Sequence, residues 1–275
     1  ANLGGGSLTS NGETNLNGNT NAGTVTVAGG TLTHDGALTN NAATVNVEAG
    51  TLAANGTIAA SSINVNENAT LTTGEAERLN NGVALNADGT VSLGGNETIG
   101  DLSGSGTIAN NGNDLTVNQT SDREFSGNIT GAGGLTKQGE AGLTLANGSD
   151  FTGAANINEG ELTVSGDLAT NTINVTNGAT LTTTAADLLS DGATVTADGT
   201  LNLGGNQTLN NLLGSDTGVV NIGASNLLLT GGVDFQGRIN GEGGSVSAGP
   251  GDLILGGDNT FTGDLVILDG STTTL

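Results

Sequence analysis

The sequence predicts an all-β chain wound as a parallel β-helix, a β-solenoid with coils of about 20 residues. Three observations predict it: a short repeat near the start, a larger repeat that returns at one constant offset, and a composition that leaves little to fill a wide interior. Fifty glycines and four phenylalanines stand among 275 residues, with no Tyr, Trp, Met or Cys. Apolar residues make up 34% and alternate with polar ones, which favours ordered β-structure over Gly-rich disorder.

The short repeat is plainest in TVTVAGGTLT from Thr24, TVNVEAGTLA from Thr44 and SINVNENATLTT from Ser62. The copies align on Val25, Val45 and Ile63, in two steps of about 20 residues each. Each copy reads as an alternating strand, a Gly or Asn turn and a second short strand at Leu32, Leu52 or Leu71. One copy cannot bury its apolar side alone, so neighbours must stack, with Val, Ile, Leu and Ala inward and Thr and Asn outward. Spacing of about 4.8 Å would make about 13 coils a rod of order 60 Å.

The larger repeat spans roughly residues 63–164 and 173–275 of what reads as one continuous solenoid over 1–275. NADGTVSLGGNETIGDLSGSG matches TADGTLNLGGNQTLNNLLGSD, and Leu143, Phe151, Gly153, Ile157 and Gly160 return at one offset as Leu253, Phe261, Gly263, Ile267 and Gly270. The stretch from Leu115 to Phe125 is two residues longer than that from Leu227 to Phe235, a difference a solenoid corner absorbs. Glu75 to Leu79 and Ala185 to Leu189 are the plausible helical turns, each expected as a corner excursion.

Net charge is -23, from 27 acidic side chains against Arg78, Arg123, Lys137 and Arg238. Such a chain repels phosphate backbones and anionic lipid, so nucleic acid is not an expected partner. The longest apolar run, Leu265 to Leu268, is too short for membrane insertion by this segment. The acid favours solubility and self-repulsion; its sharper reading is weak, distributed Ca²⁺ binding by carboxylate and Asn oxygens. No Asp-x-Asp-x-Asp-Gly loop is present, so no cofactor or dedicated metal site is expected. The lack of cysteine puts stability on the backbone ladder and fits an exported bacterial protein. Without an initiating Met or a basic, apolar leader, the chain reads as a segment of a larger mature protein.

Candidate chemistry is sparse. His34, the single histidine, precedes a turn signal in THDG and is expected on a surface corner. Asp35, Asp88, Asp198 and Asp269 each precede Gly and read as turn residues rather than a catalytic pair. No catalytic residue is assigned. Phe125 and Phe151 have the same separation as Phe235 and Phe261, near one coil plus an insertion, so each pair is expected to stack in the core. Asn-x-Thr triplets at Asn68, Asn96, Asn118, Asn128, Asn174 and Asn206 read as outward Asn ladders. Thr-x-Thr rows such as Thr24 with Thr26 and Thr31 with Thr33 raise ice binding, but in the linear sequence they are not maintained.

The stretch from Gly133 to Val164 resembles the autotransporter-associated β-strand repeat of bacterial type V secreted proteins. The likeness is carried by Leu135, Thr136 and Lys137, by Leu143 to Leu145, by Phe151 to Gly153 and by Ile157 to Leu162. Asp88 to Ile108 is similar to a segment common in such passengers. At the offset that carries Leu143 to Leu253, Ser245, Val246 and Ser247 stand where the first copy has Leu-Thr-Lys. The resemblance implies a right-handed parallel β-helix at the bacterial cell surface or outside it. Its implied role is a stalk or scaffold of an adhesin acting in adhesion or biofilm, with host or bacterial surfaces and glycans as partners. Two alternatives stand beside that reading: a self-assembling subunit of a surface layer or fibre, a homo-oligomer by end-to-end stacking, and a carbohydrate-active β-helix enzyme.

Overall fold

Alternation decides which way each side chain points. The computed structural model describes residues 1–41 and 43–274; Leu275, the last residue of the larger repeat, lies outside them. The strands run two to five residues, all described pairings are parallel, and no helix occurs among the described residues. The chain is a β-solenoid of stacked coils, and it divides into two compact units, Ala1–Leu135 and Thr136–Leu275.

In the first unit one face stacks Ser7–Ser10, Thr24–Val27, Thr44–Val47, Ser62–Val65, Ala84–Ala87 and Leu102–Ser103. A second stacks Thr14–Leu16, Thr31–His34, Gly50–Ala54, Ala69–Thr73, Thr90–Ser92, Thr107–Ala109 and Asn128–Gly131. The third begins as single bridges, Thr20 to Leu38 to Ile58 to Leu79, and then becomes the strands Glu97–Ile99 and Leu115–Asn118. The register pairs Val25 with Val45 and Val45 with Ile63, the alignment the short repeat requires. Inward ladders of like residues follow, such as Leu32, Leu52, Leu71 and Val91, each at most 1% exposed. Small side chains suffice because each coil is narrow and closed above and below.

The second unit repeats the plan. Ala155–Ile157, Thr172–Val175, Thr194–Ala197, Asn211–Gly214, Val233–Phe235 and Gly251–Leu255 form one face. Leu143–Leu145, Glu161–Val164, Thr180–Thr183, Thr200–Asn202, Val219–Asn221 and Arg238–Asn240 form another. Here too the third column starts as bridges, Ser149 to Leu168 to Leu189, before the strands Gln207–Leu209 and Asn226–Leu229.

The two expected helical turns do not form. Glu77 and Asp187, one in each, take φ of 52° and 50°, a left-handed conformation that ends any right-handed turn. Both segments are corner excursions, and each lengthens its coil relative to the one before, as the register steps from Ser62 to Ala84 and from Thr172 to Thr194 show.

Candidate functional site: buried polar groups and outer columns

Where the bridge column gives way to strands, main-chain N–H groups lose their ladder acceptors, and a side chain from the next coil takes over. The Glu97 carboxylate, 1% exposed, accepts from the N–H of Arg78 at 2.9 Å and of Leu79 at 3.1 Å. At the matching place in the second copy Gln207 is 2% exposed; its Oε1 accepts from the N–H of Leu189 at 3.2 Å, and its amide donates to the Leu189 carbonyl at 2.9 Å. Burial pushes the Glu97 carboxyl above its ordinary value, against the pull of the Arg78 and Leu79 N–H groups and the Thr73 hydroxyl. Asn110 and Gln119 do similar work: Asn110 exchanges two bonds with Gly133, at 2.9 and 3.0 Å, and Gln119 accepts from the Leu102 N–H at 2.8 Å.

Lys137 is fully buried. Its ammonium donates to the carbonyls of Gln138, Gly139 and Glu159 at 2.9, 2.8 and 3.0 Å, closing a corner between two coils. In Leu135–Gln138 the inward residues are Leu135 and Lys137; in Ser245–Ala248 they are Val246 and Ala248. The counterpart of Lys137 is therefore Ala248, one residue beyond the constant offset, and the second corner does without the charge.

His34 is not on a surface corner. It ends the strand Thr31–His34 facing inward, 3% exposed, with Leu16 and Ala54 as register partners. Alternation from Leu32 carries it inside, and this outweighs the turn that follows. Neither ring nitrogen has a hydrogen-bond partner, and burial holds the imidazole below its usual pKa, opposed by the nearby Gly36 backbone and Asp35.

Phe125, Phe151 and Phe235 are fully buried, whereas Phe261 is half-buried and outside any strand. Phe125 bridges Gly104, and Phe235 has Gly214 and Leu255 as register partners rather than Phe261. The Phe235 ring lies against glycine backbone: a Cβ on Gly237 would sit 2.6 Å from the ring and 2.2 Å from the Gly218 carbonyl oxygen. Gly214 and Gly218 in the adjoining coil, with Gly237 beside the ring, make the room that the aromatic fills.

The acidic turn residues reach the neighbouring coil. Asp88 accepts from the Ser105 N–H at 3.1 Å and Asp198 from the Ser215 N–H at 2.8 Å. Asp35 accepts from the Asn55 amide at 2.8 Å. Asp269 lies in a turn with Gly270. Asp101 accepts from the Thr120 N–H and hydroxyl at 2.7 and 3.0 Å and from the Ser121 N–H at 3.2 Å, with Arg123 at 3.7 Å. Burial works to raise its pKa, but these donors hold it below the usual carboxylate value. Glu48, Glu67 and Asp88 border a shallow recess of about 440 Å³. No group of three or more His, Cys, Asp or Glu with metal-binding geometry occurs among the described residues.

Outward columns carry the remaining polarity. Asn221 donates to Asn202 at 2.7 Å, Asn240 to Asn221 at 2.9 Å and Asn174 to Asn156 at 2.8 Å, so these amides are spent on each other. Of the triplet asparagines, Asn174 lies in such a ladder, while Asn96 and Asn206 accept from the N–H of Asp114 and Asn226. The threonine rows depart from the sequence reading. Once the unequal coil lengths are absorbed, Thr31, Thr51, Thr70, Thr90 and Thr107 fall in one unbroken column.

Lys137 and the coil that follows it, with Phe151 buried and Ile157 inward, make up one corner-to-corner unit, and Val246 to Ile267 repeat its strands. Residues 135–164 and 246–273 match the passenger-associated-transport-repeat family. The second match starts at Val246, the residue that burial pairs with Leu135. These repeats and the β-solenoid fit an autotransporter passenger, and the repeat implies a secreted or cell-surface protein. Comparison with curated proteins found no match, nor did comparison with solved structures.

Proposed function

We propose that the chain is a non-enzymatic stalk or scaffold segment of a surface adhesin, acting in adhesion or biofilm through its repeated outer faces. The observation that carries this reading is the presence of two passenger-associated-transport-repeats within stacked β-solenoid coils. A stacked backbone ladder is stiff, and identical outward groups on successive coils offer many weak contacts whose avidity exceeds any one of them. The engagement of Asp35, Asp88, Asp101 and Asp198 in coil-to-coil hydrogen bonds supports a structural role for the acids. Host or bacterial surfaces and their glycans are the partners in this reading. The test is to display the chain on a non-adherent bacterium and measure adherence to cells, glycan arrays and plastic. Adherence above that of an equally displayed unrelated solenoid supports the proposal; equal adherence removes it.

A further inference from the structure

The geometry points to an ice-binding face on the first unit, a second activity independent of the adhesive reading. The face is the outer side of the stack from Thr31–His34 to Asn128–Gly131. One of its columns is Thr31, Thr51, Thr70, Thr90 and Thr107, ending on Asn128; the next, two residues along each strand, holds Thr33, Ala53, Thr72, Ser92, Ala109 and Thr130. Strand spacing sets these groups about 4.8 Å apart along the stack and about 6.6 Å apart across it.

Two further observations separate this face from a merely soluble one. First, the hydroxyls of the five stacked threonines make no hydrogen bond within the chain among the described residues. They make no bond to one another either, whereas the Asn side chains of other columns bond in pairs. Second, neither column contains a charged residue, although the chain carries a net charge of -23. The corresponding outer face in the second unit differs in charge: its column of Thr180, Thr200 and Val219 ends on Glu161 at one side and Arg238 at the other, and in the next column the Thr182 hydroxyl donates to Glu161 at 2.6 Å.

An uncharged, periodic array of unpaired hydroxyls fits an uncharged, periodic partner. Each Thr hydroxyl offers one donor and two acceptor sites, the valence of a water oxygen short of one donor. β-Branching restricts χ1, so little side-chain freedom is lost when the array meets a lattice. The interleaved methyl groups supply apolar surface beside each hydroxyl. A neutral polysaccharide fits less well, because the face has no aromatic ring to stack on a sugar and no carboxylate or guanidinium for paired hydrogen bonds.

The experiment uses the full 275-residue chain. Ice-crystal shaping, freezing hysteresis and inhibition of recrystallisation are measured for the unmodified chain, for T70K/T90K and for T180K/T200K as a control on the second unit. All three are checked for an unchanged β circular dichroism spectrum and melting temperature. The expected result is faceted crystals and slowed recrystallisation with the unmodified chain and the control, and loss of both with T70K/T90K. Absence of ice activity in the folded chain, equal loss in both variants, or retention on insoluble cellulose or chitin without ice activity would each overturn the assignment.

Discussion

The two copies of the larger repeat share a frame but fill it differently. Glu97 in the first stands where the second has Gln207, Lys137 where it has Ala248, and fully buried Phe151 where it has half-buried Phe261. Glu97 and Gln207 cap N–H groups left by a break in the bridge column, and either a carboxylate or an amide serves. The inward position thus selects for hydrogen-bonding reach, and charge is secondary. Lys137 and Ala248 show the converse: where a corner places three carbonyls within reach, a buried ammonium is held, and where the inward site is apolar, a methyl group fills it.

The comparison can be broken most severely at the aromatic pair. Phe151→Ala is expected to cost about 3–5 kcal/mol, the usual range for emptying a buried Phe site, and Phe261→Ala clearly less because that residue is only partly buried. Chemical unfolding of both variants checks the order. Next comes Lys137→Met, which keeps the stem but leaves the carbonyls of Gln138, Gly139 and Glu159 without the ammonium; a loss of about 1–3 kcal/mol is expected. Equal stability of K137M and the unmodified chain would show that the ammonium is not needed.

A subtler effect lies in pH. Because burial raises the Glu97 pKa, the folded chain holds that proton more tightly than the unfolded one. Stability from this group therefore rises as pH falls through its folded value, levels off below the unfolded value, and is lowest at neutral pH. E97Q is expected to remove this slope and to raise the melting temperature at pH 7, since an uncharged amide caps the matching N–H at Gln207. Matching slopes in E97Q and the unmodified chain would assign the effect to the other acids. The smallest expected change is Asp198→Ala, about 1 kcal/mol, the scale of losing one capping carboxylate from the Ser215 N–H.

The fold was legible because period-2 alternation and the near-regular steps of the short repeat name both the inward ladder and its register, as Val25, Val45 and Ile63 show. The buried polar groups were not. His34 lies two residues from Leu32, Lys137 two from Leu135, and Glu97 two from Ile99, so the same alternation that places Leu and Ile inside places them there too. Residue type argued for the surface; for Glu97 and Lys137 the hydrogen bonds that reverse that preference come from the neighbouring coil, far along the chain, or across a corner, and for His34 alternation alone carries the ring inside. The threonine column was hidden for a related reason. Its members are unevenly spaced along the chain, and only stacking aligns them.

The central claim is that Glu97, Gln207, Asn110, Gln119 and Lys137 enter this core to cap main-chain groups that coil stacking leaves unpaired. Amide hydrogen exchange at Arg78 and Leu79 tests it most directly, in the unmodified chain, in E97Q and in E97L. Protection in the first two and its loss in E97L, with neighbouring coils still protected, is the predicted result; undiminished protection of both amides in E97L would contradict it.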